Sequence, residues 1–318
     1  MKIVYTVISS YIIKKSYNIN DNDRINELTT NVEKTKQNKS YNENEFIKLR
    51  NIGQTSTSTI DLSYHIISEK IFAVKNFYGE IDKLKQREIN NYSIINYPFI
   101  PKFYGKIKNY NFDSIVIEFI NGKTLGELIK NKLKVLIIIE ILYTINYLHL
   151  NHFIYRDLKP NNLILDQNQH IVLIDFDRMI RYNSDIREDE KSFYTKDFGS
   201  EFVDPYLKIE NSKPSYQNDI YSIGMIIYYI FKDGKSKPSD LTIDVEIINK
   251  YPKLYQIITK CTHVNLNERP SIPNLINFFN DFLLNYDFSK SKKDIEQKIS
   301  LLKSIDICSI DVINDQNY

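Results

Sequence analysis

Nine residues, Tyr155-Arg156-Asp157-Leu158-Lys159-Pro160-Asn161-Asn162-Leu163, constrain this chain more than any other stretch. They bring an acid, a base and an amide together just after a long apolar run over 133–150 and just before an apolar strand pattern. Polar chemistry held between two buried elements reads as a functional loop on a rigid scaffold. Asp175 follows at the end of the run Ile171-Val172-Leu173-Ile174. Asp157, Asn162 and Asp175 therefore offer hard oxygen donors from strand ends, a set suited to magnesium.

With 318 residues the chain has room for one large domain or two lobes, each with a core. The formal charge of +2 arises from interspersed Lys and Asp/Glu, so no basic face for nucleic acid is announced. Cys261 and Cys308 show no metal-ligand spacing with the histidines. A disulfide framework is not expected, and a reducing, cytoplasmic setting is. Residues 1–13 carry a lysine and then apolar residues, but no small-residue cleavage site, and Lys14-Lys15 follow at once, so export is not expected. The apolar run 135–150 is broken by Glu140, Asn146 and His149, too short and too polar to span a bilayer.

Residues 1–45 are polar, at 16–45 especially, and read as a flexible arm that cannot bury enough surface to offset its ordering entropy. From Phe46 the texture changes to strand-like runs at 46–50, 60–66, 71–76 and 114–118, with a helical run at 80–95. That order predicts a small antiparallel sheet carrying one helix. Between the first two runs, Ile52-Gly53-Gln54-Thr55-Ser56-Thr57-Ser58-Thr59-Ile60 reads as a hairpin whose backbone N–H groups are suited to phosphate. Lys75 ends the strand Ala73-Val74-Lys75, where an ammonium needs a partner; Glu88 is the candidate, with Glu80 the alternative. After the connector 118–122 the chain turns helical, at 125–130, 133–150, 218–231, 254–261 and 271–284. Residues 285–318 return to a polar tail.

Tyr155-Arg156-Asp157-Leu158-Lys159-Pro160-Asn161-Asn162 and Asp175-Phe176-Asp177 resemble the H-R-D-L-x-x-x-N and D-F-G pair of the eukaryotic protein kinases. The resemblance covers roughly 46–284 and implies an α+β, two-lobed fold: a small lobe at 46–119, a hinge at 118–122 and a mainly helical lobe at 123–284. It implies a serine/threonine protein kinase that uses ATP and Mg2+ on protein substrates. By the same resemblance, Asp157 orients the acceptor hydroxyl and takes its proton, Lys159 steadies the γ-phosphate, and Asn162 with Asp175 holds the metal. Lys75, braced by Glu88, positions the phosphates beneath Ile52 and Gly53. Ile117 is the gatekeeper, the backbone of Glu118 and Ile120 meets adenine, and Ile60, Ala73 and Ile164 line the ring. Tyr92, Phe103, Tyr155 and Phe176 would form an apolar spine, and Asp219 would anchor the catalytic-loop backbone.

Four features depart from the family pattern. Thr55 and Ser58 replace glycines of the phosphate turn, Asp177 replaces the glycine after Asp175-Phe176, and Tyr155 replaces a histidine. Asp204-Pro205-Tyr206 replaces A-P-E, which leaves Arg269 of Asn267-Glu268-Arg269-Pro270-Ser271 without its expected glutamate. These departures motivate the alternative of a pseudokinase binding module; a small-molecule kinase fits less well, given Arg156 and Lys159-Pro160. Ser192, Tyr194 and Thr195 are candidate phosphorylation sites in the expected activation segment, with Ser200 expected near Asp157 and Lys159.

Overall fold

In the computed structural model the described residues are 39–55, 57–79, 83–108, 113–127, 134–182, 201–209, 212–234, 245–285 and Ser300. The elements in order are β1 (Lys39–Tyr41), β2 (Phe46–Gln54), β3 (Ser58–His65), β4 (Lys70–Phe77), α1 (Lys83–Ile94), β5 (Phe103–Lys108), β6 (Asp113–Glu118) and β7 (Gly122–Thr124). There follow α2 (Lys134–Leu150), β8 (Phe153–Ile154), β9 (Leu163–Asp166), β10 (Ile171–Leu173), β11 (Ile180–Arg181), α3 (Tyr216–Phe231), α4 (Val245–Lys250), α5 (Pro252–Cys261) and α6 (Ile272–Asn285). An antiparallel-rich sheet with one helix precedes a mainly helical part, as expected of an α+β chain of two lobes.

The first sheet runs β1-β5-β6-β4-β3-β2. Its two faces are sorted by the period-2 alternation of strands. Along β4, Phe72 and Val74 join an outer cluster with Tyr41, Ile107 and Val116, while Ala73 and Phe77 join the main core. Lys75 shares the inner face with Ala73 and Phe77, so the alternation itself delivers an ammonium toward the core side. On β6, Ile115 and Ile117 face the same core.

Residues 39–45, within the stretch 1–45 expected as a flexible arm, include ordered elements. Lys39–Tyr41 forms a strand parallel to β5, with Lys39 opposite Gly105, and Tyr41 is buried. The close approach depends on Gly105, at φ +146°, because a Cβ there would lie 2.1 Å from the Lys39 carbonyl oxygen. A polar segment thus gains order from a glycine and an aromatic anchor far along the chain, a tertiary effect that composition does not carry. Residues 1–38 and 301–318 lie outside the described residues, as does nearly all of the expected tail.

In the helical part, α2 is buried along nearly its whole length and packs against α6, α3, β8 and β10. Its charged Glu140, fully buried, accepts from His170 Nδ1 at 2.8 Å and from the Ile171 backbone N–H at 2.8 Å. The acid that breaks the apolar pattern therefore fixes β10 on α2 and sets the height of the Asp175 segment. Helices α3 and α5 meet at Gly224, where a Cβ would lie 2.6 Å from Cys261 Cβ. Burial pushes the Cys261 thiol up to about 12, as expected of an inert packing residue. Among the described residues no helix is long and apolar enough to cross a membrane.

Candidate active site

The loop after β8 holds its polar groups inward because the backbone is tied from beneath. Asp219, fully buried on α3, accepts from the N–H groups of Tyr155 at 2.9 Å and Arg156 at 2.8 Å and from His149 Nε2 at 2.8 Å. Arg156 sits at φ +68°, a left-handed conformation that a side chain tolerates only when its surroundings over-determine it. Its Nε donates to the Arg178 carbonyl at 2.6 Å, joining this loop to the segment after Asp177.

Asp157 stands at the centre. Its Oδ2 accepts from Lys159 Nζ at 2.7 Å and from Asn162 Nδ2 at 2.9 Å, and Asn162 Nδ2 also reaches the Asp157 carbonyl at 2.9 Å. Asn162 and the Asp175 segment are held together through the backbone, with Ile174 N–H donating to the Asn162 carbonyl at 3.0 Å. Asp175 also occupies the left-handed region, at φ +67°. Two non-glycine residues in that region, one in each half of the site, mark it as a place where strain is stored.

Lys75 meets Glu88 of α1 in a direct, buried ion pair and lies 3.3 Å from Asp175 Oδ1. Burial pulls the Lys75 ammonium down, but Asp175 and Glu88 outweigh it and leave it raised and firmly charged. Burial pushes the Glu88 carboxyl up against the opposing pull of Lys75. The partner is Glu88; Glu80 lies outside the described residues.

Three of the four residues expected in the spine meet ring to ring. Phe176, fully buried, packs edge-on against Tyr92 at 5.1 Å between ring centroids and against Tyr155 at 5.7 Å. Phe103 is half-buried against the same core. Tyr155 adds what the ring alone would not, since its hydroxyl donates to the Ile174 carbonyl at 2.6 Å. The Tyr92 hydroxyl accepts from the Asp175 N–H at 3.3 Å.

The residues expected around the nucleotide lie on the strands that bound this site. Ala73 is paired with Ile117 across β4 and β6, and Ile60 with both Gly53 and Lys75 across β3. Ile117 and Ala73 are buried and Ile60 is half-buried. Glu118 closes β6, with its N–H on the Lys102 carbonyl at 2.8 Å and its Oε2 accepting from the Lys102 N–H at 3.2 Å. Ile120 is buried just beyond it, Ile164 is half-buried on β9, and Ile52 is exposed on β2.

The hairpin between β2 and β3 differs from a glycine-rich turn in a specific way. Neither Thr55 nor Ser58 takes a positive φ, so their side chains cause no left-handed strain. Instead, Thr55 Oγ1 accepts from the N–H groups of Thr57 at 3.2 Å and Ser58 at 3.0 Å. The turn consumes internally two N–H groups that a phosphate cradle would offer outward.

Asp177 brings a third acid to the site. One carboxylate oxygen from each of Asp157, Asp175 and Asp177 lies within 4.8 Å of the others. Burial and the neighbouring Asp175 push the Asp177 carboxyl up to about 6. Its Oδ1 is sealed from solvent and meets no hydrogen-bond donor among the described residues. Three carboxylates with oxygens this close together are hard donors of the kind that magnesium takes, so the residues fit that ion.

Several contributors were not legible beforehand. Asn91, one turn after Glu88 on the buried face of α1, donates through Nδ2 to the carbonyls of Phe176 and Met179, both at 2.9 Å. Arg87 Nη2 reaches the Asp177 carbonyl at 3.0 Å. The i, i+3 relation of Glu88 and Asn91 was the available signal, since both must face the same neighbour. The missing partner of Arg269 is Asp204, which takes both guanidinium arms, whereas Tyr206 stands where the glutamate was expected. Ser192, Tyr194, Thr195 and Ser200 lie outside the described residues.

Comparison with known proteins agrees with this geometry. Residues 46–290 match the family model described as protein kinase domain. The cAMP-dependent protein kinase type 3 of Saccharomyces cerevisiae is 29% identical over 201 residues, covering 59% of this chain and 48% of that protein. The dual specificity protein kinase zakA of Dictyostelium discoideum is 34% identical over 119 residues, covering 35% of this chain and 15% of that one. The serine/threonine-protein kinase kin-29 of Caenorhabditis elegans is 27% identical over 202 residues, covering 60% of this chain and 24% of its own. The chain thus spans about half or less of the length of these relatives. A matched segment that includes the two motif loops, the Lys75–Glu88 pair and the Asp219 anchor leads to one conclusion: the chain belongs to the protein kinase domain family.

Proposed function

We propose that the chain transfers the γ-phosphoryl group of MgATP to serine or threonine hydroxyls of protein substrates. The observation that carries this reading is the cluster at Asp157: a carboxylate oriented by Lys159 and Asn162, beside Asp175 and the formed Lys75–Glu88 pair. Phosphoryl transfer asks a protein chiefly for positioning and for charge around the phosphates, and each demand has a residue here.

Asp157 receives the acceptor hydroxyl and takes its proton as the oxygen bonds to the γ-phosphorus and the bond to the leaving β-phosphate oxygen breaks. Lys159, already on the Asp157 carboxylate, orients that acid and extends a cation toward the transferred group. Lys75 presents a fixed charge to the nucleotide phosphates, held by Glu88 so that it does not collapse onto Asp175 alone. Asp175, Asn162 and Asp177 would hold magnesium, which would supply positive charge to offset that of the leaving diphosphate. Ile60, Ala73, Ile117 and Ile164 give adenine an apolar slot, with the backbone of Glu118 and Ile120 along its edge, and Ile52 and Gly53 cover the phosphates.

The pseudokinase alternative draws its support from the four departures, yet none of them removes Lys75, Glu88, Asp157, Asn162 or Asp175. Lys159 favours serine and threonine acceptors by its place in the loop, as does the name of one of the relatives described above. A cytoplasmic setting belongs to the same proposal, in keeping with the free buried thiol of Cys261. The test is phosphoamino-acid analysis of a mixed protein acceptor after incubation with labelled MgATP, beside small alcohols. Phosphoserine and phosphothreonine are expected; phosphotyrosine alone, or label on the small alcohols alone, would overturn the acceptor class.

A further inference from the structure

We propose that the outer face of the first sheet carries a site for a small organic amine, seated on Asp61 and separate from the nucleotide slot. A cavity of about 300 Å³ opens there, at the small end of the range of about 300–1,000 Å³ for ligand pockets. Strand alternation puts it on the face opposite Lys75. Asp61 pairs with Val74 and Ser63 with Phe72, and both of these partners belong to the outer cluster. One wall is Glu43, from the short turn that leads from β1 into β2.

The first observation is a buried charge with room for another donor. Asp61 is 6% exposed and accepts from Asn51 Nδ2 at 3.1 Å and from Asn76 Nδ2 at 3.0 Å, with Lys48 Nζ 2.8 Å away. A carboxylate has about four acceptor sites, so one stays open beside these three donors. Lys48 is itself 61% exposed, and an ion pair with so exposed a partner is weak and readily exchanged. An incoming ammonium can take the open site or the place of Lys48.

The second observation is Ser63, 3% exposed, whose hydroxyl has no hydrogen-bond partner among the described residues. It lines the cavity and is not one of the sealed, unpartnered polar atoms, so its oxygen opens into that space. Ser63 and Thr59 flank Asp61 on the same face of β3, each about 7 Å along the strand. An ammonium carries three donors and no acceptor, which suits a carboxylate set between two hydroxyls.

The walls narrow the class further. Phe46, Val74 and Ile107 offer apolar surface beside the polar row, and the acids Glu43 and Asp61 outnumber the single Lys48. The charge balance selects a cation over an anion, and the apolar wall selects an amine with a hydrocarbon body. The recess of Asp61 and Ser63 favours a free small molecule over a basic side chain carried on another protein.

The experiment titrates phenethylamine into the full chain by saturation-transfer NMR, beside neutral 2-phenylethanol and anionic phenylacetate. Saturable binding of the amine is expected, at least about tenfold tighter than of either analogue, as a charge-assisted contact requires. Addition of MgATP should leave it unchanged. Asp61→Asn, and Ser63→Leu, which fills the cavity, should each weaken it at least about tenfold, with circular dichroism and Tm showing that each is folded. If Asp61→Asn fails to fold, Ser63→Leu and the three probes decide. No saturable binding of phenethylamine, equal binding of phenylacetate, displacement by MgATP, or affinity unchanged in the folded variants would overturn the proposal. Tighter binding of an acetylated, amidated lysine than of phenethylamine would overturn the small-molecule class. None of these outcomes bears on phosphoryl transfer, which is read separately.

Discussion

Arg269 and Asp204 form a two-armed ion pair in which both side chains are almost fully buried, at 1% exposure each. The carboxylate comes from two positions before Tyr206, and it also receives Asn218 Nδ2 at 2.7 Å and the Tyr206 N–H at 3.0 Å. The end of the expected activation segment is thus pinned to α3 and to the turn before α6 by an acid in an unusual place. Removing one partner of such a pair leaves the other as an uncompensated buried charge. Asp204→Ala should cost about 3–5 kcal/mol, read by urea unfolding. Adding Tyr206→Glu to that variant should recover part of the loss if the glutamate regains the guanidinium; no recovery would show that only position 204 can serve.

Thr55 carries the second prediction. Its hydroxyl ties up the N–H groups of Thr57 and Ser58, so Thr55→Gly should free both for phosphate. Hydrogen bonds to charged groups contribute about 1.5–3 kcal/mol, and glycine returns part of that as lost backbone order. The ATP KM should fall roughly tenfold with little change in kcat. An unchanged or higher KM would mean that the turn serves the nucleotide as it stands.

Asn91 is a positioning residue whose two hydrogen bonds hold the turn from Phe176 to Met179. Asn91→Leu keeps the volume but leaves two buried carbonyls unsatisfied, at about 1–3 kcal/mol each. Because that turn carries Asp175 and Asp177, kcat should drop while unfolding stays cooperative, and Asn91→Gln should restore less than full activity. Lost stability with kcat intact would reduce Asn91 to packing.

How much of this could be read from residues alone depended on the range of the interaction. The catalytic loop and Lys75 are legible in local patterns, since strand alternation sends Lys75 inward, whereas the choice of Glu88 as its partner and the aromatic spine were implied by the resemblance to the kinase family. The β1 strand was not, because its order comes from Gly105, over sixty residues away in sequence, and from the outer cluster that buries Tyr41. Asp204 was hidden for the same reason. Its partner lies 65 residues on, and motif spacing pointed to Tyr206 instead. Glu140 read as an interruption of an apolar helix, and only the fold reveals that it receives His170 and β10.

His65 and Glu45 give a prediction in pH. His65 Nε2 donates to Glu45 Oε2 at 3.0 Å, while its Nδ1 accepts from the Ser68 N–H at 3.1 Å. The hydrogen bond from His65 holds the Glu45 carboxyl below its ordinary value. A carboxyl depressed in the folded state adds stability that is complete above its unfolded pKa and is lost as pH falls through the folded one. Glu45→Gln should therefore flatten the fall of Tm below about pH 4.5 and leave the neutral region nearly unchanged. An acid limb identical to that of the intact protein would contradict the assignment.

The most direct measurement is transfer of labelled γ-phosphate from MgATP to a mixed protein acceptor by the intact chain and by Asp157→Ala, side by side. The account predicts incorporation by the intact chain and a loss of about 10²- to 10⁴-fold in the variant, the usual contribution of a positioned general base. Equal incorporation by both, or none by an intact chain whose Tm still rises with MgATP, would contradict it.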